Sequence, residues 1–492
     1  MENEKVYITS IHRNRLNDHE IEVRGYSARR FEYFGDNIKS MAYTDEQHGI
    51  SFALKYHRGH AKLQLTDGVL VDLFDRSSGI NRNSEIESVF EESRLLIKEI
   101  GFFSQFKTIL KKMKQEKRYK ESVFQVSALL YRKFHKNKTL ALFADRIDKA
   151  NDNAEFLYQE VNHQKIKKFF VLRKDSPDYK RLQKIAHVIP FGSFKHKVLS
   201  LVADYIVSSH ADNFLLNPFL KNQDIFKGFF NYRFVFLQHG VTKDDMSAWL
   251  KREGKDIYYL ITSSEKEAES FLTGNYQYNK NEIKITGMPR FDKLSRQNMQ
   301  KRIVFMPTWR AELAGVIDQQ TGKFAYNPEF KESSFFKTIN NFLSDPKLEE
   351  LLERTGYEFI FIPHPNLVQQ KDDFFTSTNI KIRTENVDYS HFIQTSEVLI
   401  TDYSSVAFDF AYNYKQVIYF QFDQGNLVPG YFDYSSMGFG PVIEEASELV
   451  EVLSEILLAE TENNRTKYDE RVNEFFLYKD QKNSARVSRL IR

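Results

Sequence analysis

Four segments of the sequence place histidine, arginine, serine or aspartate directly after a short apolar run. They read FLQHGVTK, FMPTWR, FIPHPN and LITDYSSVAFDF, and a fifth segment, ITGMPRFD, adds another arginine. Histidine exchanges protons near neutral pH, arginine binds phosphate oxygens through a planar fork, and serine hydroxyls form hydrogen bonds with anions. One histidine alone is more often structural, but four such clusters together favour a site that binds a phosphate-containing group.

The segment TDYSSVAFDF has the clearest pattern. Ser404 and Ser405 fall near the start of a predicted helix, where serine is a preferred cap and where free backbone N–H groups attract anions. A simple capping role would explain one serine and would leave Asp409, one turn into the helix, unexplained. Asp409 could accept hydrogen bonds from ribose or orient a phosphate-binding turn. Asp402 and Asp409 could also assist a Mg²⁺ ion, but no carboxylate cage is visible, so metal dependence is left open.

Two arginines have the chemistry of phosphate ligands. Arg310 lies in PTWR, and Arg290 lies in ITGMPRFD after another apolar run. A guanidinium group is permanently charged and can offer two parallel hydrogen bonds to a phosphate. A surface ion pair would use the same side chain, so the pattern alone leaves both interpretations open.

Short, continuously apolar runs alternate with helical patterns from about residue 139 onward. Such runs are typical of parallel strands buried on both faces, and the helical patterns between them make βαβ units. The two series predict an α/β protein with two doubly wound domains, residues 139–298 and 299–492, facing a cleft. Ligands of such sheets bind beyond the carboxyl ends of the strands, where the polar segments fall. The predicted strands are residues 167–172, 186–190, 204–209, 234–238, 258–264, 283–287, 302–308, 358–364, 380–383, 397–403 and 416–422.

The first 138 residues follow different patterns. Residues 1–82 alternate apolar and polar positions in short runs, which predicts a small β-rich accessory domain. Residues 83–138 look helical and basic, with twelve Lys or Arg against three Glu between Lys98 and Lys138. An apolar stripe accompanies these cations. The segment could therefore lie on an anionic membrane, or it could pack as a solvated helix against the next domain.

The composition excludes several kinds of site. The 492 residues carry 70 Lys or Arg and 67 Asp or Glu, a net charge of +3, so we expect no nucleic-acid partner. The chain has no cysteine, which excludes disulfides, thiolate zinc sites, iron–sulfur clusters and cysteine nucleophiles. Neither a signal peptide nor a long apolar run is visible, so we expect the protein to remain in the cytoplasm.

The segments QHG, TGMPRFD, PTWR, PHPN and TDYSSVAFD, in this order, resemble the CDP-glycerol glycerophosphotransferase family of teichoic acid synthesis. That family includes glycerol-phosphate primases and polymerases and the related ribitol-phosphate polymerases. The resemblance covers residues 140–460, and the segments DNAEFLY and SSHADNF are similar to the first half of these proteins. It implies a GT-B-like architecture. It also implies peripheral association with the inner face of the cell membrane, for which the basic segment offers Lys111, Lys112, Lys114 and Lys117.

The resemblance further implies roles for individual residues. His239 matches the histidine of the family's His-Gly motif, which is thought to be the catalytic base. His364 is the second catalytic candidate and is expected against the donor phosphates. The residues expected to contact a CDP-alcohol are Gly240, Lys243, Arg290, Pro307, Thr308, Arg310, Pro363, Pro365, Asp402, Ser404, Ser405 and Asp409.

The resulting hypothesis is a polyol-phosphate transferase. A hydroxyl of a lipid-linked saccharide or polyol-phosphate acceptor would attack the alcohol-bearing phosphorus of CDP-glycerol or CDP-ribitol and release CMP. The first α/β domain would bind the acceptor and the second the donor. The alternative is a GT-B nucleotide-sugar glycosyltransferase, and a remote one is a non-catalytic scaffold that binds membranes or polyanions. The identity of the polyol, the distinction between primase and polymerase, the choice between teichoic acid and capsule, and formation of a homo-oligomer stay open.

Overall fold

The computed structural model describes residues 102–491 and, for the backbone alone, nine strands between residues 7 and 97. Within residues 102–491, the description leaves out 136–137, 163, 165, 213–217, 220–225, 227–231, 252–254, 256, 295, 297, 317–323, 385–386, 424–428 and 459–465, and the side chains of 104, 105, 108, 112 and 116.

Nine antiparallel strands precede the first helix. Four of them form a sheet in the order β1-β2-β9-β8, and the other five, β3 to β7, form a second sheet in chain order. Their bounds are Tyr7–Arg13 (β1), His19–Arg24 (β2), Ala28–Phe34 (β3), Ile38–Asp45 (β4), Ile50–His57 (β5), His60–Leu65 (β6), Leu70–Asp72 (β7), Phe90–Glu91 (β8) and Arg94–Ile97 (β9). The strands agree with the alternating pattern of the sequence, while a separate accessory domain stays a prediction.

Strands β8 and β9 fall inside the segment that was predicted to be helical. The backbone of Leu95 pairs with that of Ile21 in β2, and Ile97 pairs with His19. The helical prediction is therefore wrong for these residues. The partner strand lies more than seventy positions away in the chain, so helical periodicity within the segment carried no information about it.

Two helices lie in the described part of the basic segment after β9, where a helical structure was predicted. They are α1, Phe102–Glu116, and α2, Tyr119–Phe134. The chain reverses between them at Lys117, whose φ is 55°. None of the helices in the described residues is both long enough and apolar enough to span a bilayer.

Seven parallel strands form the first α/β sheet, in the order β12-β11-β10-β13-β14-β15-β16. They are β10 Thr139–Ala144, β11 Ile166–Leu172, β12 Val188–Pro190, β13 Tyr205–Ser208, β14 Arg233–Phe236, β15 Ile257–Thr262 and β16 Ile283–Ile285. Six of these strands were predicted and are confirmed. The seventh, β10, was missed although its sequence TLALFA is continuously apolar. Strand order reverses at β10, and in open α/β sheets that reversal creates a ligand-binding crevice.

Six parallel strands form the second α/β sheet, in the order β19-β18-β17-β20-β21-β22. They are β17 Gln300–Met306, β18 Glu358–Phe361, β19 Ile380–Ile382, β20 Ser396–Thr401, β21 Gln416–Phe420 and β22 Val442–Ile443. All five strands predicted here are confirmed. Separate apolar clusters cover the two faces of each sheet, which explains why the strands are apolar at consecutive positions rather than alternating ones.

Helices connect the parallel strands in both sheets. Several begin at serine or aspartate caps, such as Ser264, whose hydroxyl accepts from the backbone N–H of Glu267. In the described residues, the helices after α2 are α3 Asn153–Glu160, α4 Tyr179–Leu182, α5 Phe194–Val202, α6 Ser247–Leu250, α7 Glu265–Thr273, α8 Ser334–Leu343, α9 Pro346–Thr355, α10 Tyr389–Thr395, α11 Val406–Tyr412, α12 Tyr434–Met437, α13 Ala446–Leu458, α14 Thr466–Phe475 and α15 Asn483–Ser488.

The last helix, α15, packs on the first α/β half rather than the second. Val487 and Ile491 are buried in the apolar cluster around α3. The side chain of Asp292, in the 3-10 helix Pro289–Lys293, accepts from the backbone N–H groups of Asn483 and Ser484. These apolar side chains therefore complete the core of the preceding half, while the domain 299–492 stays a prediction.

Candidate active site

The His-Gly turn begins just after β14. Gln238 adopts a left-handed backbone with a φ of 60°, which is uncommon for any residue other than glycine, asparagine or aspartate. His239 follows with an exposed side chain, and Gly240 is buried. The sharp turn therefore places His239 at the carboxyl edge of the first sheet, as the sequence pattern predicted.

The His239 ring stacks on the ring of His210, which follows β13. The two ring centroids lie 4.6 Å apart and the planes differ by 3°. The His239 ring reaches solvent, but protein surrounds most of both rings. This loss of solvent lowers the pKa of His210 to about 4 and also lowers the pKa of His239. The nearby Asp152 carboxylate acts in the opposite direction on both pKa values. Both imidazoles are neutral at neutral pH. A neutral imidazole is the form that can accept a proton.

Arg290 links the two α/β halves. Its guanidinium donates to both carboxylate oxygens of Asp409 in α11, over 2.7 and 2.8 Å. It also donates to the side chain of Asp152 over 2.8 Å and to the backbone carbonyl of His239 over 2.6 Å. Burial alone would lower the pKa of Arg290, but Asp409 and Asp152 raise it above its ordinary value. Arg290 and Asp409 were predicted to contact the CDP-alcohol, whereas in the structure they are paired with each other.

The His-Gly turn touches the serine turn of the second half. A Cβ atom added to Gly240 would overlap the hydroxyl of Ser405, so any larger residue at this position would displace the Ser405 side chain. Ser404 accepts from the backbone N–H of Val406, whereas Ser405, the first residue before α11, makes no capping hydrogen bond with its side chain. The contact brings predicted residues from opposite halves, Gly240 and Ser405, to one place.

Arg310 is enclosed by acceptors of the second half. Its donors bind both carboxylate oxygens of Asp423 over 2.6 and 3.1 Å, one oxygen of Asp402 over 3.0 Å, and the Thr308 carbonyl and hydroxyl over 2.9 and 2.8 Å. These bonds use all five N–H groups of the guanidinium. Arg310 was predicted to be a phosphate ligand. In the structure these protein partners make it a support for the surrounding loops, and contact with a phosphate stays a prediction.

Asp402 is equally occupied by protein donors. Its carboxylate accepts from the backbone N–H groups of Thr308 and Tyr403 over 2.8 and 2.6 Å, and from the Thr308 hydroxyl over 2.7 Å. Together with Arg310 these donors satisfy both of its oxygens. Asp402 and Asp409 thus do not fit the role of Mg²⁺ ligands, and the described residues contain no group of three or more histidine or acidic side chains that could hold a metal ion.

His364 lies in the same part of the second half. Its ring stacks on Trp309 with centroids 5.6 Å apart and an angle of 12°. Burial lowers the pKa of His364 to about 4 although Asp402 acts in the opposite direction. Its Nδ1 accepts from the backbone N–H of Asn366 over 3.2 Å, which leaves the proton on Nε2 in the neutral tautomer. His364 can therefore act as a neutral hydrogen-bond donor.

The remaining predicted contacts have structural partners or only a backbone role. Lys243 is buried, lies 2.5 Å from a carboxylate oxygen of Asp244, and its ammonium lies 5.6 Å from the centroid of the Tyr434 ring. The prolines Pro307 and Pro363 are buried and Pro365 is exposed. Pro365 begins a 3-10 helix directly after His364, at a first helical position where proline's missing N–H costs no hydrogen bond.

The basic helices expose both charge and aromatic surface. Lys111, Lys114 and Lys117 are exposed, whereas the side chain of Lys112 lies outside the described residues. Phe103 and Phe134 are exposed over 73% and 74% of their surface. Such large exposed aromatic side chains beside lysines are consistent with the predicted membrane contact, and that contact stays a prediction.

Three residues of the site were not predicted. His210 follows strand β13 in the segment SSHADNF, and Asp152 lies in DNAEFLY. Glu267 lies beneath the His-Gly turn, three positions after its cap Ser264. The S-x-x-E spacing of Ser264 and Glu267 marks a helix start in the sequence, but nothing local shows that the glutamate reaches another loop.

Comparisons with known proteins agree with this fold. The family model described as CDP-Glycerol:Poly(glycerophosphate) glycerophosphotransferase matches residues 125–492. The minor teichoic acid biosynthesis protein GgaB of Bacillus subtilis (strain 168) is 39% identical over 402 residues, which is 80% of this chain and 44% of GgaB. The teichoic acid glycerol-phosphate transferase of Staphylococcus aureus (strain NCTC 8325 / PS 47) is 26% identical over 238 residues, 44% of this chain and 56% of that protein. The chain thus spans about half the length of these curated relatives.

A solved structure of the wall teichoic acid polymerase TagF has a similar fold. It superposes with a TM-score of 0.54 at 17% sequence identity and covers 79% of this chain and 97% of the TagF chain. Similarity at this level concerns the fold alone. It confirms the predicted GT-B-like α/β architecture of two doubly wound sheets.

Proposed function

Because the chain belongs to the CDP-glycerol:poly(glycerophosphate) glycerophosphotransferase family, we propose that it transfers a polyol phosphate from a CDP-alcohol to an acceptor hydroxyl. The contact between Gly240 and Ser405 carries this proposal. It joins a turn that holds a neutral histidine to a serine turn on the opposite half. A transferase for two substrates needs such a meeting point, because the base and the donor phosphates must reach the same phosphorus atom.

The donor would occupy the second half. The hydroxyls of Ser404 and Ser405 and the neutral ring of His364 are hydrogen-bond donors at the carboxyl ends of strands β20 and β18. Arg290 and Arg310 would shape this surface rather than bind phosphate, since carboxylates already occupy them. In this proposal, neutral hydrogen-bond donors contact the phosphates, and the arginines paired with carboxylates hold those donors in place.

The acceptor would approach from the first half. Its hydroxyl oxygen attacks the phosphorus atom that bears the alcohol, and His239 takes the hydroxyl proton. A new phosphodiester bond forms as the bond between this phosphorus and the bridging oxygen breaks, and CMP leaves with the electron pair. His364 would donate a hydrogen bond to the charge that develops on the phosphates.

Membrane association belongs to the same proposal. A lipid-linked acceptor lies at the bilayer surface, so an enzyme that uses it must work there. The exposed Phe103 and Phe134 and the lysines of α1 offer apolar and cationic contacts for the cytoplasmic face of a membrane. We therefore propose that the protein acts as a peripheral enzyme of this face, in teichoic acid or capsule-type polymer synthesis.

Parallel assays with CDP-glycerol and CDP-ribitol would test the reaction. The purified chain is incubated with each donor and a lipid-linked polyol-phosphate acceptor, with and without EDTA, and released nucleotides are separated by chromatography. We expect acceptor-dependent CMP release with one of the donors. Release of CDP, or of UDP from a UDP-sugar, would instead support the glycosyltransferase, and no cytidine nucleotide binding or turnover would support the scaffold.

A further inference from the structure

The turn that carries His239 has an unusual conformation and an unusually dense set of partners. Gln238 is almost fully buried and has a positive φ, a conformation that costs free energy for this residue type. Its side-chain amide donates to the carbonyl of Ile261 over 2.6 Å, and its amide oxygen accepts from the hydroxyl of Thr242. Its backbone carbonyl accepts from Asn153 over 2.8 Å. Such a strained turn persists only when its surroundings hold it.

Glu267 of α7 holds this turn from beneath. Its side chain is fully buried. One carboxylate oxygen accepts from the Gln238 amide and from the backbone N–H of Thr242, each over 2.9 Å, and the other accepts from the backbone N–H of Ser263 over 2.7 Å. Gln238, directly before His239, and Thr242, two positions after Gly240, are therefore bound to one oxygen atom. None of these contacts comes from the second half.

We propose that Glu267 is a positioning residue for the reaction, because its carboxylate fixes the strained turn that presents His239 to the acceptor hydroxyl. The inference rests on the proposed function of His239 as the base. Glu267 lies behind the turn, and its three accepted hydrogen bonds come from residues of the first half, so it acts through the turn that carries His239. A misplacement of about 1 Å at a reacting group can lower a rate by about 100-fold, which gives a buried support of this kind a large effect on turnover.

Two substitutions of Glu267 remove different numbers of its hydrogen bonds. Glu267→Ala removes all three accepted hydrogen bonds, whereas Glu267→Gln keeps the shape and one acceptor oxygen but turns an amide donor toward backbone N–H groups. We expect kcat for CMP release to fall by about 10- to 100-fold in Glu267→Ala and by less in Glu267→Gln. Donor affinity, measured by calorimetry, should stay within about two-fold, because the donor lies on the other half. Glu269→Ala, on the exposed face of the same helix, is the matched control and should leave kcat unchanged.

A combination with His239→Ala distinguishes positioning from a general structural role. If Glu267 acts through His239, Glu267→Gln should lower kcat in the parent but should cause no further loss in His239→Ala. An equal loss in both backgrounds would overturn the proposal, and so would a parental kcat in a folded Glu267→Gln protein. Circular dichroism and thermal unfolding would establish that each variant is folded.

A measurement that needs no turnover tests the positioning role of Glu267 independently of the proposed reaction. If the parent releases no CMP from any donor, the proposed reaction fails, but the support of the turn is still measurable. In protein labelled at histidine, the ring signals assigned to His239 by loss in His239→Ala should shift in Glu267→Gln and stay in place in Glu269→Ala. Unmoved His239 signals in Glu267→Gln would refute the positioning role whatever the reaction.

Discussion

His239 belongs to a turn of the first half and stacks on another imidazole, whereas His364 follows a strand of the second half and stacks on Trp309. Loss of surrounding solvent lowers the pKa of both histidines below its ordinary value, so both are neutral at neutral pH. A neutral histidine can accept a proton or donate a hydrogen bond. Its place relative to the two substrates decides which of these it does.

Single substitutions at the two histidines should therefore have different effects. His239→Ala should lower kcat by about 10²–10⁴, the usual range for loss of a general base, with donor affinity little changed. His364→Ala should weaken donor affinity as well as turnover, because its ring faces the donor phosphates in the proposed complex. CMP release and donor calorimetry measure the two quantities separately. A fully active His239→Ala enzyme would exclude it as the base, and matching losses of affinity would place both histidines on the donor.

The sequence identified Arg290 and Arg310 as important but could not assign their partners. Each guanidinium binds a carboxylate more than a hundred positions away, Asp409 for Arg290 and Asp423 for Arg310. The guanidinium of either arginine can bind a phosphate or a carboxylate equally well, so the neighbouring sequence does not predict which of the two it binds. By contrast, the two histidines were found because strand ends are visible as the ends of apolar runs.

The strands and helices that carry these residues could largely be predicted from the sequence. Every predicted α/β strand is present, because strands covered on both faces are apolar at each position and stand out from the helices between them. Apart from β10, which was missed although its own sequence is apolar, the prediction failed where the determining contact was distant. Strand β9 pairs with β2, and helix α15 crosses to the first half, and both depend on residues far away in the chain.

The helix pair α1 and α2 gives a prediction at the scale of elements. Reversal of Lys111, Lys114 and Lys117 to Glu should release the protein from vesicles that contain anionic lipid, since each cation near such a surface contributes about 1 kcal/mol. A flotation assay at several salt concentrations measures the binding. The same charge change at Lys266, Lys280 and Lys347, which are exposed elsewhere on the chain, serves as the control and should reduce binding much less.

Two outcomes would contradict the membrane assignment. One is that the variant with Lys111, Lys114 and Lys117 changed to Glu still binds vesicles with unchanged salt sensitivity. The other is that this variant and the control variant lose vesicle binding equally. The second result would mean that net charge alone drives attraction to the vesicles. Substitution of Phe103 and Phe134 by serine tests the apolar contribution, because these exposed rings would otherwise enter the interface.

At the scale of the whole molecule, several polar contacts join the two halves next to the proposed site. Besides Arg290 and Asp409, the backbone of Asp244 bridges to Gly430, and Lys149 donates to the carbonyl of Val387 over 3.0 Å. The contacts of Arg290 and Asp244 lie next to the His-Gly turn. The relative placement of the base and the donor therefore depends on how firmly the halves are held together.

The Arg290–Asp409 pair provides the test of this coupling. Both side chains are largely buried and share two hydrogen bonds, so removal of Arg290 leaves the Asp409 carboxylate unpaired and should destabilise the protein by about 3–5 kcal/mol. Removal of Asp409 should cost less, because Arg290 keeps its ion pair with Asp152. In a double-mutant cycle with Arg290→Ala and Asp409→Ala, urea unfolding should give an interaction free energy in the upper part of the range of about 0.5–3 kcal/mol. The single variants should also lose turnover, because Arg290 binds the carbonyl of His239. Arg302 and Glu358, 2.9 Å apart within the second half, form the control pair, whose removal should lower stability and spare turnover. Additive effects of Arg290→Ala and Asp409→Ala on stability would show that the pair does not couple the halves.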